Sequence, residues 1–458
     1  MTFLGSDRRV ARVVAQPIAQ FLRVEAAGGV LLLIATIAAL IWVNSPWGES
    51  YHVFWETSFD INIGSFSLGD EAHPFNLELL VNDALVAVFF FVVGMEIKLE
   101  RVVGQLRDTR VAALPAIAAV GGMLIPALFY FVLNTSGPEA DGWGIPMATD
   151  IAFALGVLSL LGNRVPATLR VFLLTLAIVD DIGAILVIAI FYTTDLSTGW
   201  LLVAAGLVIL VMLLRQLHVW YIPLYVVLGI LVWVAVFKSG VHATIAGVVM
   251  GLLTPARPLQ DAVEGDILHP FLSHTDDSPS AASAKRVRFE VQETVSVAQR
   301  LINSLHPYTS YLIIPIFALA NAGIEISGTA ISEAASSSVT LGVILGLVGG
   351  KLVGISGFTF IAVKLGISDL PEGMNWRRVF GVAAMAGIGF TVSIFITTLA
   401  FEDDVLQEQA KLGIIAASVI ATAIGTALLW KGPEELEDVP SEIPTDDREA
   451  AVAGAAAH

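Results

Sequence analysis

The chain has 458 residues, 56% of them hydrophobic and only 14% charged, with a mean hydropathy of +0.80. A soluble protein carries about 25% charged residues, so the composition argues against a water-soluble globular protein and for a helical chain that crosses a membrane many times. The absence of cysteine removes disulfides and thiolate metal sites, and the net charge of −17, much of it in the C-terminal tail and the loops, reads as solvation.

Four arginines, Arg8, Arg9, Arg12 and Arg23, precede the first apolar stretch. That stretch lacks a convincing cleavage site and is followed by many more like it, so a retained first helix is favoured over a signal peptide. Apolar runs of about 18–25 residues recur along the chain. They predict about twelve spans, near 25–44, 78–98, 111–133, 144–162, 169–192, 199–215, 221–237, 241–254, 306–325, 338–363, 379–400 and 411–430. With the N-terminus cytoplasmic, nearly all basic residues fall on the cytoplasmic side. Only Lys238 and Lys411 fall opposite, and Lys351 lies within a span. Both termini are therefore expected in the cytoplasm.

The expected organisation is a basic N-terminus (1–24), a transmembrane domain (25–430) and an acidic, disordered tail (431–458). The outside loop 45–77 contains Phe59-Asp60-Ile61-Asn62-Ile63, then Gly64-Ser65, then Phe66-Ser67-Leu68. Alternation around a Gly-containing turn predicts a β-hairpin. A lone hairpin is marginal in water, which suggests packing on a partner subunit or on the membrane domain. The polar segment 255–305 reads as a mobile cytoplasmic insert, with a helix over 287–304 as the alternative.

Ionisable residues inside spans are few. Asp83 and Glu96 lie toward the ends of the second span, Asp150 within the fourth, Asp180 and Asp181 at the middle of the fifth, and Lys351 at the middle of the tenth. Each mid-membrane aspartate costs roughly 2.5–3.5 kcal/mol on insertion scales, and adjacent ones repel. Such a pair is kept for a cation that visits it.

Two spans are interrupted. The fourth contains Pro146 and Thr149-Asp150, and the eleventh contains Ala386-Gly387-Ile388-Gly389-Phe390-Thr391. Glycine and threonine alone are compatible with ordinary helix packing. Position favours more: the fourth is the middle of spans 3–5 and the eleventh the middle of spans 10–12, which predicts an inverted repeat with two crossing, interrupted helices. Their half-helix ends would gather partial charges of both signs at mid-membrane. Asp150 and Lys351 are an acid and a base at that depth, either compensating those ends or forming a plain ion pair. Thr149, Gly389 and Thr391 would support the site, and free carbonyls and the Thr149 hydroxyl would add oxygen ligands for a hard cation.

Neighbours on a helix point about 100° apart, so Asp180 and Asp181 can border one cavity without aiming at one atom. Burial and mutual repulsion favour bound protons, so proton and sodium would occupy the pair in alternation. Two schemes stay open: both aspartates exchange protons, or Lys351 pairs with Asp180 and the carriers are Asp181 and Lys351.

Several segments resemble those of NhaA-type sodium/proton antiporters. They are Ala148-Thr-Asp-Ile-Ala-Phe-Ala-Leu-Gly-Val157, Ala177-Ile-Val-Asp-Asp-Ile-Gly-Ala184, Lys238-Ser-Gly-Val-His-Ala-Thr244, Phe317-Ala-Leu-Ala-Asn-Ala-Gly323, Gly350-Lys-Leu-Val-Gly-Ile355, Leu370-Pro-Glu-Gly373 and Gly387-Ile-Gly-Phe-Thr-Val-Ser-Ile394. The resemblance runs from about residue 25 to 430. It implies a bacterial inner-membrane antiporter, not an enzyme, that expels Na+ or Li+ using the inward H+ gradient. The ion site would be Asp180 and Asp181, supported by Asp150, Lys351 and Thr149. It further implies pH-dependent activity with Glu96 and Glu100 near the cytoplasmic entrance, His242 toward the other side and Asp83 also in the pH response or entrance, a homodimer joined through the outer hairpin, contact with membrane lipid, no cofactor and no nucleic-acid partner. The chain departs from the family at Leu99, usually basic there, at Ile302 and Asn303, and in its long 255–305 insert; these departures bear on the pH profile. An intramembrane aspartyl protease needs its two aspartates on separate helices, and a retinal protein fits twelve spans poorly. A transporter of the same architecture for K+ or an organic anion is the main alternative.

Overall fold

The computed structural model describes residues 27–58, 62–63, 66–67, 75–193, 196–217, 219, 221–257, 295–371 and 373–430. The expected N-terminal segment 1–24, most of the insert and the tail 431–458 lie outside the described residues. Helix α1 (Ala27–Val43) is followed by a short helix α2 (Gly48–Trp55) turned 115° from it. Tyr51 of α2 brings its hydroxyl within 2.8 and 2.6 Å of the Leu319 and Ala320 carbonyls, anchoring the outer segment on the bundle. Strand β1 (Asn62–Ile63) pairs antiparallel with β2 (Phe66–Ser67), Asn62 opposite Ser67 and Ile63 opposite Phe66. The rest of the expected hairpin lies outside the described residues.

Helix α3 (Leu77–Val102) begins at an Asn76 cap that accepts the Leu79 N–H at 2.8 Å, and it contains a π turn over Leu80–Leu85. Helix α4 (Thr109–Leu133) follows, capped by Asp108. A 3₁₀ helix, Pro138–Met147, meets α5 (Ile151–Leu160) at a 42° bend. Then come α6 (Ala167–Phe191), α7 (Thr198–Gln216), α8 (Ile222–Lys238) and α9 (Thr244–Leu253). Helix α10 runs over 297–321 with a π turn at Thr309–Ile313. It is followed by α11 (Gly328–Ser336) and by α12 (Ser338–Lys364), which has a π turn over Leu345–Gly350 immediately before Lys351. Helices α13 (Trp376–Met385) and α14 (Phe390–Ala400) meet at a 48° bend, and α15 (Asp404–Trp430) ends the described chain.

Among the described residues six helices are long and apolar enough to cross a bilayer, or up to nine if each bent pair is one span; α8 and α9 are shorter apolar helices. Large apolar side chains such as Ile41, Leu124, Ile190 and Val419 point outward. Backbone groups bonded within helices and apolar side chains on the outside are what a hydrocarbon solvent demands, and the chain is a multi-pass helical membrane protein.

The two pairs bent at 42° and 48° pack among α4, α6, α12 and α15. At the crossing of α4 and α12 the backbones touch: a Cβ on Gly354 would lie 2.2 Å from the Gly121 carbonyl oxygen, and one on Gly121 would lie 2.4 Å from that of Gly354. Small residues let membrane helices approach this closely. The contact brings Lys351, one turn away, into the interior.

Several boundaries differ from those the hydropathy predicts. Helix α10 starts at Val297 rather than near 306, because the Ser296 side chain caps it by accepting the Gln299 N–H. Helix α15 starts at Asp404 rather than near 411, capped by Asp403. The helix near 241 begins only at Thr244, which leaves His242 in the preceding turn. The outer helix α11 has no apolar run to announce it.

Candidate functional site

Helix α6 passes through Asp180 and Asp181 without a break, held in helical form by its leucine, isoleucine and alanine neighbours. Asp180 is 1% exposed and Asp181 7%. Asp180 Oδ2 lies 2.5 Å from Lys351 Nζ, a side chain with no exposed surface, and accepts the Thr149 hydroxyl at 2.7 Å. Asp180 Oδ1 has no hydrogen-bond partner among the described residues. The Asp181 carboxyl makes no hydrogen bond or ion pair among them either.

Lys351 has three acceptors for its three ammonium hydrogens: Asp180 Oδ2, Thr149 Oγ1 at 3.0 Å and the Met147 carbonyl. Met147 ends the 3₁₀ helix Pro138–Met147, so this carbonyl belongs to the negative end of a half-helix. The Thr149 hydroxyl also lies 2.9 Å from the Ala386 carbonyl, at the C-terminal end of α13.

Asp150 serves the opposite poles. Its Oδ1 accepts the Phe153 N–H at 2.9 Å, and its Oδ2 accepts the Thr391 N–H at 3.0 Å and the Thr391 hydroxyl at 2.6 Å. One carboxylate thus caps the N-termini of both α5 and α14, where helix dipoles favour negative charge. Its own N–H donates to the Ile388 carbonyl at 2.7 Å, closing the contact between the two breaks. The alternative of a plain Asp150–Lys351 ion pair is not what the described residues form. Lys351 pairs with Asp180, because each charge goes to the helix ends of opposite sign.

Gly389 sits at the second break and touches no carboxylate. A Cβ there would fall 2.2 Å from Ser393 Oγ and 2.8 Å from Leu347 Cδ2, so the turn has room only for hydrogen. Ser393 in turn donates to the Ile145 carbonyl at 2.9 Å and fastens α14 to the 3₁₀ helix.

The residues expected at the entrance or in the pH response sit on other elements, α3 and the turn before α9. Glu96 is half-buried on α3, one turn before Glu100. Asp83 sits in the π turn of the same helix, where its carbonyl accepts the Trp233 indole N–H at 2.9 Å. His242 Nε2 lies 2.5 Å from the Tyr192 carbonyl at the end of α6. No hydrogen bond or ion pair joins Glu96, Asp83 or His242 to Asp180, Asp181, Asp150 or Lys351 among the described residues.

Sequence reasoning missed the Met147, Ala386 and Ile388 carbonyls, which no side-chain pattern reveals. It also missed Tyr192, whose hydroxyl accepts the Gly144 N–H at 3.1 Å and donates to the Asp141 carbonyl at 2.7 Å. Asn82 and Asn321 exchange amide hydrogen bonds at 3.1 and 2.8 Å between α3 and α10. Two amides at the heart of apolar runs were the available signal for that pair.

Chemically, the site offers two buried carboxylates, one ammonium, hydroxyls and helix-end carbonyls. An oxygen-rich set of this kind suits a small hard cation, and the ammonium is a charge that such a cation can displace.

A family described as Na+/H+ antiporter 1 matches residues 19–429. The chain is 47% identical over 420 residues to Na(+)/H(+) antiporter NhaA 3 of Frankia alni, covering 91% of this chain and 89% of that protein. It is 44% identical over 441 residues to Na(+)/H(+) antiporter NhaA of Syntrophobacter fumaroxidans, covering 93% and 92%. It is 44% identical over 437 residues to Na(+)/H(+) antiporter NhaA of Janthinobacterium sp. strain Marseille, covering 92% and 95%.

Proposed function

Because this chain belongs to the Na+/H+ antiporter 1 family of secondary transporters, we propose that it exports Na+ in exchange for inward H+, with Li+ as an alternative cargo. The chain is a transporter and not an enzyme. The observation that carries the mechanism is the Asp180–Lys351 pair at 2.5 Å beside Asp181, which has no such partner among the described residues.

In the resting site Lys351 occupies the place a cation would take on Asp180, and Asp181 holds a proton. Sodium entering from the cytoplasm binds the Asp180 and Asp181 carboxylates, with Thr149 adding an oxygen. Asp181 gives up its proton, and Lys351, deprived of its partner in a buried site, gives up another. After sodium leaves on the far side, one proton returns to Lys351 and one to Asp181. Two protons enter for each sodium that leaves, so each cycle carries one net positive charge inward. Of the two schemes the sequence allows, the pairing of Lys351 with Asp180 favours this one.

Asp150 is the fixed countercharge in this scheme. It holds both half-helix N-termini whether the site contains protons or sodium, so the broken helices can act as a unit in alternating access. Twelve spans with inverted repeats and crossing helices, both termini cytoplasmic, a bacterial inner-membrane location and a homodimer through the outer segment complete the reading. Activity would depend on pH through Glu96, Glu100, Asp83 and His242.

Inside-out vesicles with an acid interior test the assignment. Adding Na+ or Li+ should dissipate the gradient and K+ should not. Absence of a Na+ or Li+ response across neutral to alkaline pH would overturn the proposal, and a K+ response alone would reassign the cargo.

A further inference from the structure

A groove of about 600 Å3 lies on the outer surface of the bundle, with no carboxylate in its lining. Leu33 of α1 lines one wall, and one face of α15, from Ile415 to Trp430, lines the other. Phe153 of α5 and Phe390 of α14 also line it. Along α15 those fifteen steps of 1.5 Å make about 22 Å, close to half of a bilayer about 40–45 Å thick with its headgroup layers. The groove therefore has the length of one leaflet.

Its Trp430 end carries a cation. The exposed Arg164 guanidinium lies 4.2 Å from the Trp430 ring centroid and forms no ion pair among the described residues. Tryptophan and arginine together mark the level of the headgroups. The half-buried Thr426 lies one turn deeper on α15, about 6 Å below Trp430, at the level of the acyl esters.

We propose that this groove is a phospholipid site selective for an anionic headgroup, with the phosphate on Arg164, an ester carbonyl at Thr426 and one acyl chain lying along α15. An acyl chain satisfies the apolar lining, and an arginine with no ion pair among the described residues favours a net negative headgroup over a zwitterionic one. The site also bears on the broken helices. The Phe153 and Phe390 rings touch, with centroids 5.9 Å apart. Each belongs to the first turn of a half-helix that Asp150 caps. A chain seated against them stiffens both first turns.

Native mass spectrometry of the full chain, extracted from vesicles of equal phosphatidylglycerol and phosphatidylcholine, tests this. The expected result is one tightly retained phosphatidylglycerol per chain. Arg164→Gln should reduce the preference for phosphatidylglycerol about fivefold, the contribution of one basic residue near an anionic surface. Ala423→Phe, which fills the groove, should remove the retained lipid while the protein stays monodisperse. If that variant does not fold, Ala427→Leu serves the same purpose. Soluble glycerol 3-phosphate should displace none of the lipid. Equal retention in the groove-filled variant, an unchanged preference in Arg164→Gln, or displacement by glycerol 3-phosphate would each overturn the proposal. The readout is lipid retention, so its outcome is independent of ion exchange.

Discussion

Asp150 and Thr391, 241 residues apart in sequence, are joined by two hydrogen bonds, from the Thr391 N–H at 3.0 Å and from its hydroxyl at 2.6 Å. One side chain thus secures the first turn of a helix in the distant half of the chain. Hydrogen bonds to a charged acceptor contribute about 1.5–3 kcal/mol each. Thr391→Val removes the hydroxyl donor and should lower stability by about that amount, whereas Thr391→Ser should stay near the parent. Thermal unfolding in detergent measures both, and equal midpoints for Val and Ser would contradict the role of the hydroxyl.

The two adjacent aspartates should separate in their effect on stability. Asp180→Asn strands the Lys351 ammonium in the interior, and breaking a buried pair costs about 3–5 kcal/mol. Asp181 has no such partner among the described residues, so Asp181→Asn should cost about 1 kcal/mol or less. Both variants should lose exchange in vesicles. Unfolding midpoints that fall equally would show that the Asp180–Lys351 pair does not carry the difference.

Lys351→Gln tests the charge arithmetic. With the ammonium gone, Asp181 alone exchanges a proton against each sodium, and transport should become electroneutral. Proteoliposomes with a potential-sensitive dye would then show sodium-driven proton movement without a change in membrane potential. Undiminished charge movement would assign the second proton to Asp180.

Competition also fixes the sign of the pH dependence. A proton on Asp181 or on Lys351 blocks sodium, so apparent sodium affinity must weaken as pH falls. Linkage sets the steepness: each proton released contributes tenfold per pH unit, so two give up to about 100-fold. In Lys351→Gln the slope should fall to about tenfold per unit. Sodium binding measured by calorimetry across pH gives both slopes, and affinity independent of pH would exclude shared occupancy.

The α4–α12 contact should tolerate no side chain. A Cβ on Gly354 meets backbone, not a movable side-chain tip, and overpacking of this kind costs about 1–3 kcal/mol or more. Gly354→Ala should reduce the folded fraction in the membrane, measured by size-exclusion of a fluorescent fusion. A normal profile would mean that the helices part at little cost.

Much of this was readable in the residues. Apolar runs located the long helices, and charges inside them singled out Asp150, Asp180, Asp181 and Lys351, because a charge in hydrocarbon demands a reason. Glycine and proline marked the two breaks. The partner of Lys351 was not settled by the residues: Asp180 lies 171 residues away, and sequence alone left both Asp180 and Asp150 open to it. Choosing between them needs the directions of the helix ends, which place Met147 and its carbonyl beside the lysine and the N–H groups of Phe153 and Thr391 beside Asp150. Helix starts outside the apolar runs, at Val297 and Asp404, were hidden for another reason. They are set by Ser296 and Asp403 hydrogen-bonding to the backbone, which hydropathy does not register.

The π turn over Leu345–Gly350 has a consequence for the aim of Lys351. A π turn holds one residue more than the α turn it replaces, and one residue corresponds to about 100° around a helix. Were the same residues wound as an α turn instead, everything beyond the turn would be rotated by about that angle, and Lys351 would lose its present aim at Asp180. The direction of the one buried ammonium in the described site is thus a matter of phase, set by the π winding of the turn before it. Removing one glycine from this stretch would let it close as an α turn with Lys351 still facing Asp180, whereas rewinding the full stretch as α would point the lysine at the wrong wall.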